Sequence, residues 1–132
     1  MSYLFDTNAC IHLMKLREPL TGRAREAGPS AIAITAITLA EMWFGAAKSQ
    51  HPRRSRADQD VFLAPFRVLD FDARAANCYA DARAHLAAKG HPIGDRDLMI
   101  AAIALANRLT VVTSNLSEFG RVPGVTVEDW MR

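Results

Sequence analysis

The sequence predicts an α/β fold, a mostly parallel central sheet of about four to five strands with helices on both faces. Three observations carry that expectation. Short apolar runs of strand length alternate with stretches of helix length, the order that parallel crossover units require. The runs are apolar throughout instead of alternating with polar residues, as strands covered on both faces are. A chain of 132 residues, half of them hydrophobic, is also sufficient for one compact core, so residues 1–132 read as one domain.

Tyr3 to Asp6 reads as the first buried strand, and Asn8 to about Arg17 as the helix after it, with Ile11, Leu13, Met14 and Leu16 available for packing. Pro19 restarts the chain into a short helix that ends at the turn signal Gly28-Pro29. Ala31 to Thr35 is the second strand and about Ile37 to Lys48 the helix that follows. Gln50 to Arg56 reads as a polar connection, and Ala57 to Ala64 as a helix stopped by Pro65. The third strand is Phe66 to Asp72, centred on Val68-Leu69. Ala73 to Lys89 is rich in helix formers and stops at Gly90. After the loop His91-Pro92-Ile93-Gly94, Asp95 can cap a helix running to about Arg108. Leu109 to Thr113 is the fourth strand and Val125 to Val127 a short fifth.

No apolar stretch approaches the ~20 residues of a membrane span; the longest, Leu98 to Ala106, stops at Asn107. The amino terminus has Asp6 and no basic lead-in, unlike a secretory signal. A soluble cytoplasmic protein is expected. Cys10 and Cys78 lack ligand-like spacing and read as free thiols. The net charge is only +2, yet thirteen of the sixteen basic residues are Arg, the side chain best shaped for phosphate.

In open α/β sheets, sites form beyond the carboxyl ends of the strands. Asp6 ends the first strand, where it is either a helix cap or a held carboxylate; alone, the cap has the edge. Glu41 lies in Thr38-Leu39-Ala40-Glu41-Met42-Trp43-Phe44, a helical stretch with almost no polar face, and buried carboxylates need a partner. Asp97 opens a helix apolar on nearly all sides; Asp95 offers the cap that would leave Asp97 free. Asn115 follows the fourth strand, although Asn115-Leu116-Ser117-Glu118 also fits a capping box. Together these positions offer hard oxygen ligands with no His or Cys, a set suited to Mg²⁺ or Mn²⁺. Such ions bridge a phosphodiester, activate an attacking water and stabilise the leaving oxygen.

With these residues in view, the chain resembles the PIN-domain ribonucleases, specifically the VapC-like toxins of bacterial type II toxin–antitoxin systems. The resemblance rests on Leu4-Phe5-Asp6-Thr7-Asn8, on Thr38 through Gly45, on Pro92-Ile93-Gly94-Asp95-Arg96-Asp97 through Ala102, on Val112-Thr113-Ser114-Asn115 through Phe119, and on Pro123 through Trp130. It spans nearly the whole chain, and the order and spacing of the motifs make it specific. It implies a three-layer α/β/α sandwich and an endoribonuclease that cuts single-stranded or loop RNA, such as transfer or ribosomal RNA, with Mg²⁺ or Mn²⁺.

In that reading Asp6, Glu41 and Asp97 hold the metal, Asn115 joins them in the catalytic set, and Thr7, Asn8 and Thr113 support the site. Many relatives have an acid where this chain has Asn115, which implies one tightly held ion with a second arriving alongside RNA. Asp95 reads as a cap, with a lesser claim to the ligand set, and Glu118 as a capping partner or outer acid. Arg53, Arg54, Arg56 and Arg96 are the candidate phosphate contacts. The base among Asp6, Glu41 and Asp97 stays open. The resemblance further implies a homodimer and a VapB-like antitoxin whose carboxy-terminal segment obstructs the acidic pocket, with DNA bound only through the antitoxin complex. Residues exposed in the cluster Met42, Trp43 and Phe44 would suit a partner helix.

Two alternatives stand beside this reading. A strand followed by Asp-Thr also opens phosphatases of the haloacid-dehalogenase type, but those carry a second Asp where this chain has Asn8. An inactive PIN-like module that only binds an antitoxin would retain the fold without the chemistry.

Overall fold

Five strands and seven helices alternate along the chain in the computed structural model, which describes all of Met1–Arg132. The strands are β1 (Tyr3–Phe5), β2 (Ile32–Thr35), β3 (Arg67–Leu69), β4 (Thr110–Val112) and β5 (Val127–Glu128). The helices are α1 (Thr7–Met14), α2 (Leu20–Ala27), α3 (Ala36–Ala47), α4 (Pro52–Leu63), α5 (Ala73–Ala88), α6 (Asp95–Asn107) and the single turn α7 (Leu116–Phe119), with a 3-10 turn at Pro29–Ala31.

The sheet order is β3-β2-β1-β4-β5, and every pair is parallel. From β1 the chain steps outward through β2 to β3, then crosses back to place β4 and β5 on the other side of β1. Strand order therefore reverses between β1 and β4, and the carboxyl ends of those two strands open the crevice where α/β sheets place their sites.

Alternation along each strand divides the core into two layers. Leu4, Ala33 and Val111 face one side, where they pack with Ala75, Ala82 and Leu86 of α5, Leu98, Ile100 and Ile103 of α6, and Phe119 of α7. Phe5, Ile32, Ile34 and Val112 face the other, against Cys10 of α1, Leu20 and Ala24 of α2, Met42 of α3, Leu63 of α4 and Trp130. A strand's side chains point alternately to its two faces, so neighbouring apolar residues feed both layers. Trp130 meets Phe5 edge-on at 5.4 Å between ring centres, securing the chain's end against β1. Burial raises the Cys10 thiol and keeps it protonated. No helix is long and apolar enough to cross a membrane.

Several boundaries differ from the sequence expectation, each for a local reason. The first helix starts at Thr7, one residue early, because the Asp6 carboxylate accepts the Ala9 N–H at 2.8 Å and caps it. Residues 52–56 are helical, not a connection: Pro52 takes the first turn of α4, where its missing N–H costs nothing. The third strand is three residues, since Asp72 is drawn off to cap α5 through Ala75 N–H at 3.0 Å. Asp95 is no cap: Gly94 precedes α6 without a side-chain cap, and Asp95 is the first helical residue.

Candidate active site

β1 and β4 place the first two groups side by side. Phe5 pairs with Val112, and the next backbone N–H, that of Asp6, bonds Val112 O at 3.2 Å. Asp6 and Thr113 thus leave the sheet together, 4% and 1% exposed. Burial raises the Asp6 carboxyl above its ordinary value, while hydrogen bonds from the Thr113 hydroxyl and the Ala9 N–H favour the ionised form. Thr113 Oγ1 also accepts the Asn115 N–H at 2.9 Å, fixing the turn after β4.

Glu41 is only half-withdrawn from solvent, its side chain 25% exposed. Its burial in an apolar helix is therefore incomplete, because α3 turns this residue towards the rim instead of into the core. Oε1 accepts the Thr7 hydroxyl at 2.9 Å, and Thr7 in turn lies 3.0 Å from the Thr38 hydroxyl. Oε2 faces Arg96 Nη1 at 4.0 Å, although Arg96 is 72% exposed and this ion pair is weak.

Asp97 stands in the first turn of α6, where the helix dipole favours a negative charge. Burial nevertheless pushes its carboxyl up to about 6, and repulsion from Asp6, Glu118 and Glu41 adds to the shift. This names the neighbours: Asp97 shares one field with all three other acids. Glu118 is the residue whose part the sequence understated. The capping box does not form, because Asn115 gives its backbone N–H to Thr113 and makes no side-chain cap. Its amide donates instead to Glu118 Oε2 at 2.9 Å and Asp97 Oδ2 at 3.4 Å. Asn115 therefore turns its amide nitrogen, not its carbonyl oxygen, towards the acids. Spacing of one helical turn from Asn115 was the signal available for Glu118; Thr38, one turn before Glu41, had the same signal and was missed.

The remaining predicted residues divide. Asn8 is exposed on α1 and makes no side-chain hydrogen bond. Asp95 points away, accepting the Tyr79 hydroxyl at 3.2 Å with Arg83 at 3.9 Å. Arg53, Arg54 and Arg56 lie on exposed turns of α4, and no hydrogen bond or ion pair joins them to the acids. Arg56 is already engaged, its guanidinium 3.7 Å from the Trp43 ring centre and 3.1 Å from Asp60. Met42 is core, Trp43 lies under Arg56, and Phe44 is 63% exposed.

The acids do not line the sizeable cavities of the fold, such as one of about 670 Å³ by Arg74, Asn77 and Arg108 at the far end of α6. They form an open rim. No three acidic, His or Cys side chains close into a ready-made ion cage. A small hard cation that keeps several waters needs only one or two carboxylates and fits such a rim. The donor set is all oxygen, and its mutual repulsion is offset by His12 near Asp6 and by Arg96 at 4.0 Å from Glu41.

The Asp97 shift sets a pH dependence. A carboxyl raised in the folded state contributes stability that is complete below its unfolded value of 3.8 and is lost as pH rises through about 6. In chelator, Asp97→Asn should therefore gain on the wild type across that window and remain the more stable above it. Urea unfolding of both proteins at about pH 4.5 and about pH 7.5 measures the difference; a constant offset between them would contradict the assignment.

A family model described as PIN domain matches residues 3–125. The chain is 41% identical over 130 residues to the tRNA(fMet)-specific endonuclease VapC of Salmonella typhimurium, covering 98% of each. It is 36% identical over 132 residues to ribonuclease VapC2 of Rickettsia felis, again 98% of each. Among solved structures, DNA-bound VapBC from Salmonella typhimurium matches with a TM-score of 0.93 at 42% identity, over 98% of both chains. VapBC2 from Rickettsia felis, bound to a DNA fragment from its promoter, matches at 0.90 and 33% identity over 98% of this chain and 99% of that one. These relatives support the nuclease expectation over the phosphatase and the inactive module. The five-stranded all-parallel sheet matches the fold of these solved VapC structures, and the chain belongs to the PIN-domain family, among its VapC ribonucleases.

Proposed function

We propose that the protein is a Mg²⁺- or Mn²⁺-dependent endoribonuclease, the toxin of a type II toxin–antitoxin pair, acting on RNA in the cytoplasm. The observation that carries this reading is the field shared by Asp6, Glu41, Asp97 and Glu118 at the β1–β4 switch point. Four acids offset only by His12 and the exposed Arg96 have no use as a fold device, and without a cation they would repel a phosphodiester.

Asp6, Asp97 and Glu41 are the residues that would hold the ion, with Glu118 supplying the acid that position 115 lacks. When bound, the ion neutralises phosphate charge and stabilises the departing 3′ oxygen. The protein's own part is positional. Thr113 and the Ala9 N–H favour the ionised form of Asp6 against the effect of its burial, Thr7 orients Glu41, and Asn115 keeps Asp97 and Glu118 together despite their repulsion. A carboxylate not engaged by the ion accepts the proton of the attacking water as it approaches phosphorus in line. Arg96, on the exposed side of Glu41, is placed to take a non-bridging phosphate oxygen; Arg53 and Arg54 are free to take phosphates further along the strand.

The open rim suits a polymer that must be splayed, as loops of RNA are. The name of the Salmonella relative makes initiator tRNA the first substrate to try. The VapBC complexes support a VapB-like antitoxin as the partner, with DNA bound through the complex, and Phe44, exposed one turn from Glu41, fits the edge of its docking surface. A homodimer belongs to the same reading and is measurable by sedimentation. Purified protein should cut initiator tRNA with Mg²⁺ or Mn²⁺ and lose all cleavage in chelator. Equal cutting in both would refute the mechanism.

A further inference from the structure

Glu41 is held by a device that lies outside the acids. We propose that Thr38 is the positioning residue for Glu41, acting through Thr7 as a chain of two hydroxyls that fixes one carboxylate oxygen. The inference rests on the reading above, in which Glu41 is an ion ligand, and goes beyond it in assigning what holds Glu41 in place.

The direction of the chain is forced. Thr7 Oγ1 is 2.9 Å from Glu41 Oε1 and 3.0 Å from Thr38 Oγ1. A hydroxyl has one proton, and an ionised carboxylate only accepts. The Thr7 proton therefore goes to Glu41, and Thr7 receives the Thr38 proton on its oxygen. Each bond polarises the next, which strengthens both away from water. Thr38 is fully buried, 0% exposed, so water does not compete for its proton. A helical Thr ordinarily bonds a carbonyl one turn back; Thr38 spends its hydroxyl on Thr7 instead, while its backbone N–H is taken by Thr35 Oγ1 at 3.1 Å.

Placement explains why such a device is useful. Thr38 lies one turn before Glu41 on the same face of α3, and Thr7 is the residue directly after Asp6. The chain of hydroxyls thus ties a carboxylate on α3 to the backbone step that sets Asp6. Glu41 has a long side chain, is a quarter exposed, and has Arg96 on its outer side at 4.0 Å. Left to itself it would sample outward rotamers towards Arg96. Thr38 fixes the Thr7 rotamer, and Thr7 holds Oε1 inward.

The test uses Thr38→Val, which keeps the shape and deletes the hydroxyl, and Thr38→Ser, which restores it. Calorimetric titration with Mn²⁺ should give binding about 10-fold weaker for Thr38→Val, the usual scale for losing a ligand's outer hydrogen-bond partner. Thr38→Ser should bind close to wild type. Thr7→Val should show the same loss, and the double variant Thr7→Val/Thr38→Val no more than either single one. Wild-type affinity in Thr38→Val, or equal losses in the Val and Ser variants, would overturn the proposal by leaving only packing. Should Thr38→Val not fold, Thr7→Val against Thr7→Ser reads the same chain from its exposed end, and equal affinities there would overturn it. Crystal structures of metal-free wild type and Thr38→Val separate this inference from the functional reading: if the wild type neither binds Mn²⁺ nor cuts RNA, that reading fails, while a Thr7 rotamer that stays on Glu41 in Thr38→Val sinks the hydroxyl chain by itself.

Discussion

Asp6→Asn should abolish RNA cleavage while leaving a protein at least as stable as the wild type in chelator. The loss follows from the place of Asp6 at the centre of the rim. If its charge helps hold a cation that contributes several kcal/mol to the transition state, and each 1.36 kcal/mol is tenfold in rate, removal costs about 10³-fold or more. The stability follows from the capping geometry. Asn is as good an N-cap as Asp, so the bond that Asp6 now accepts from the Ala9 N–H at 2.8 Å has an equivalent acceptor. Burial already raises the Asp6 carboxyl, so its ionised form costs the fold stability as pH rises above the ordinary carboxylate value. An uncharged isostere removes that cost and the repulsion with Glu41 and Asp97. Cleavage of initiator tRNA and thermal unfolding in EDTA check the two halves together. Full activity would remove Asp6 from the mechanism, and a collapsed fold would contradict the equivalence of Asn and Asp at this position.

Ile103→Ala is expected to cost about 2 to 5 kcal/mol of stability. Ile103 is 0% exposed and lies on α6 among Ile100, Ala101, Ala102 and Ala104, all equally buried. It belongs to the core layer that α6 forms with α5 and the sheet, so removing its side chain leaves a void in close-packed surroundings. Because α6 holds Asp97 in its first turn, the substitution should also weaken Mn²⁺ binding if the helix shifts along its axis. Urea unfolding should show a lower midpoint with the slope unchanged; a loss below about 1 kcal/mol would mean that the site closes up more readily than close packing allows.

How far the sequence could be read depended on the range of the force involved. Strands and helices were legible because apolar runs of four or five residues, broken by Pro19, Gly28-Pro29, Pro65 and Gly90, report burial directly. The carboxylate of Asp6, closing a strand, and Glu41, on a face with nothing polar beside it, were visible as anomalies in the same pattern. Cap chemistry was less legible. Asp95 and Asp97 are two residues apart, and both suit a helix start; the choice was made by Tyr79 and Arg83 on α5, which draw Asp95 outward. Residues 50–56 read as a polar connection because they hold no apolar residue to mark a buried face, yet Pro52 in the first turn begins a helix there. Once helical, Arg56 settles on Trp43, a contact across two helices that no local window contains.

The sequence by itself determined the α/β class and the two-faced core, since both follow from residues judged against their immediate neighbours, and it marked Asp6, Glu41 and Asp97 as candidates only when taken together. Tertiary structure alone decided which groups act together. That β1 lies between β2 and β4, so that Asp6 meets Thr113, depends on the return of the chain from β3 at one edge across to β4. That Asn115 clasps Asp97 and Glu118 instead of capping α7, and that Thr38 reaches Glu41 through Thr7, depends on distances of about 3 Å between residues 3 to 34 apart. Hydrogen bonds act over one atomic contact and have direction, so their partners are fixed only when the backbone has already brought them together, whereas hydrophobic burial is non-directional and leaves its record in composition and period.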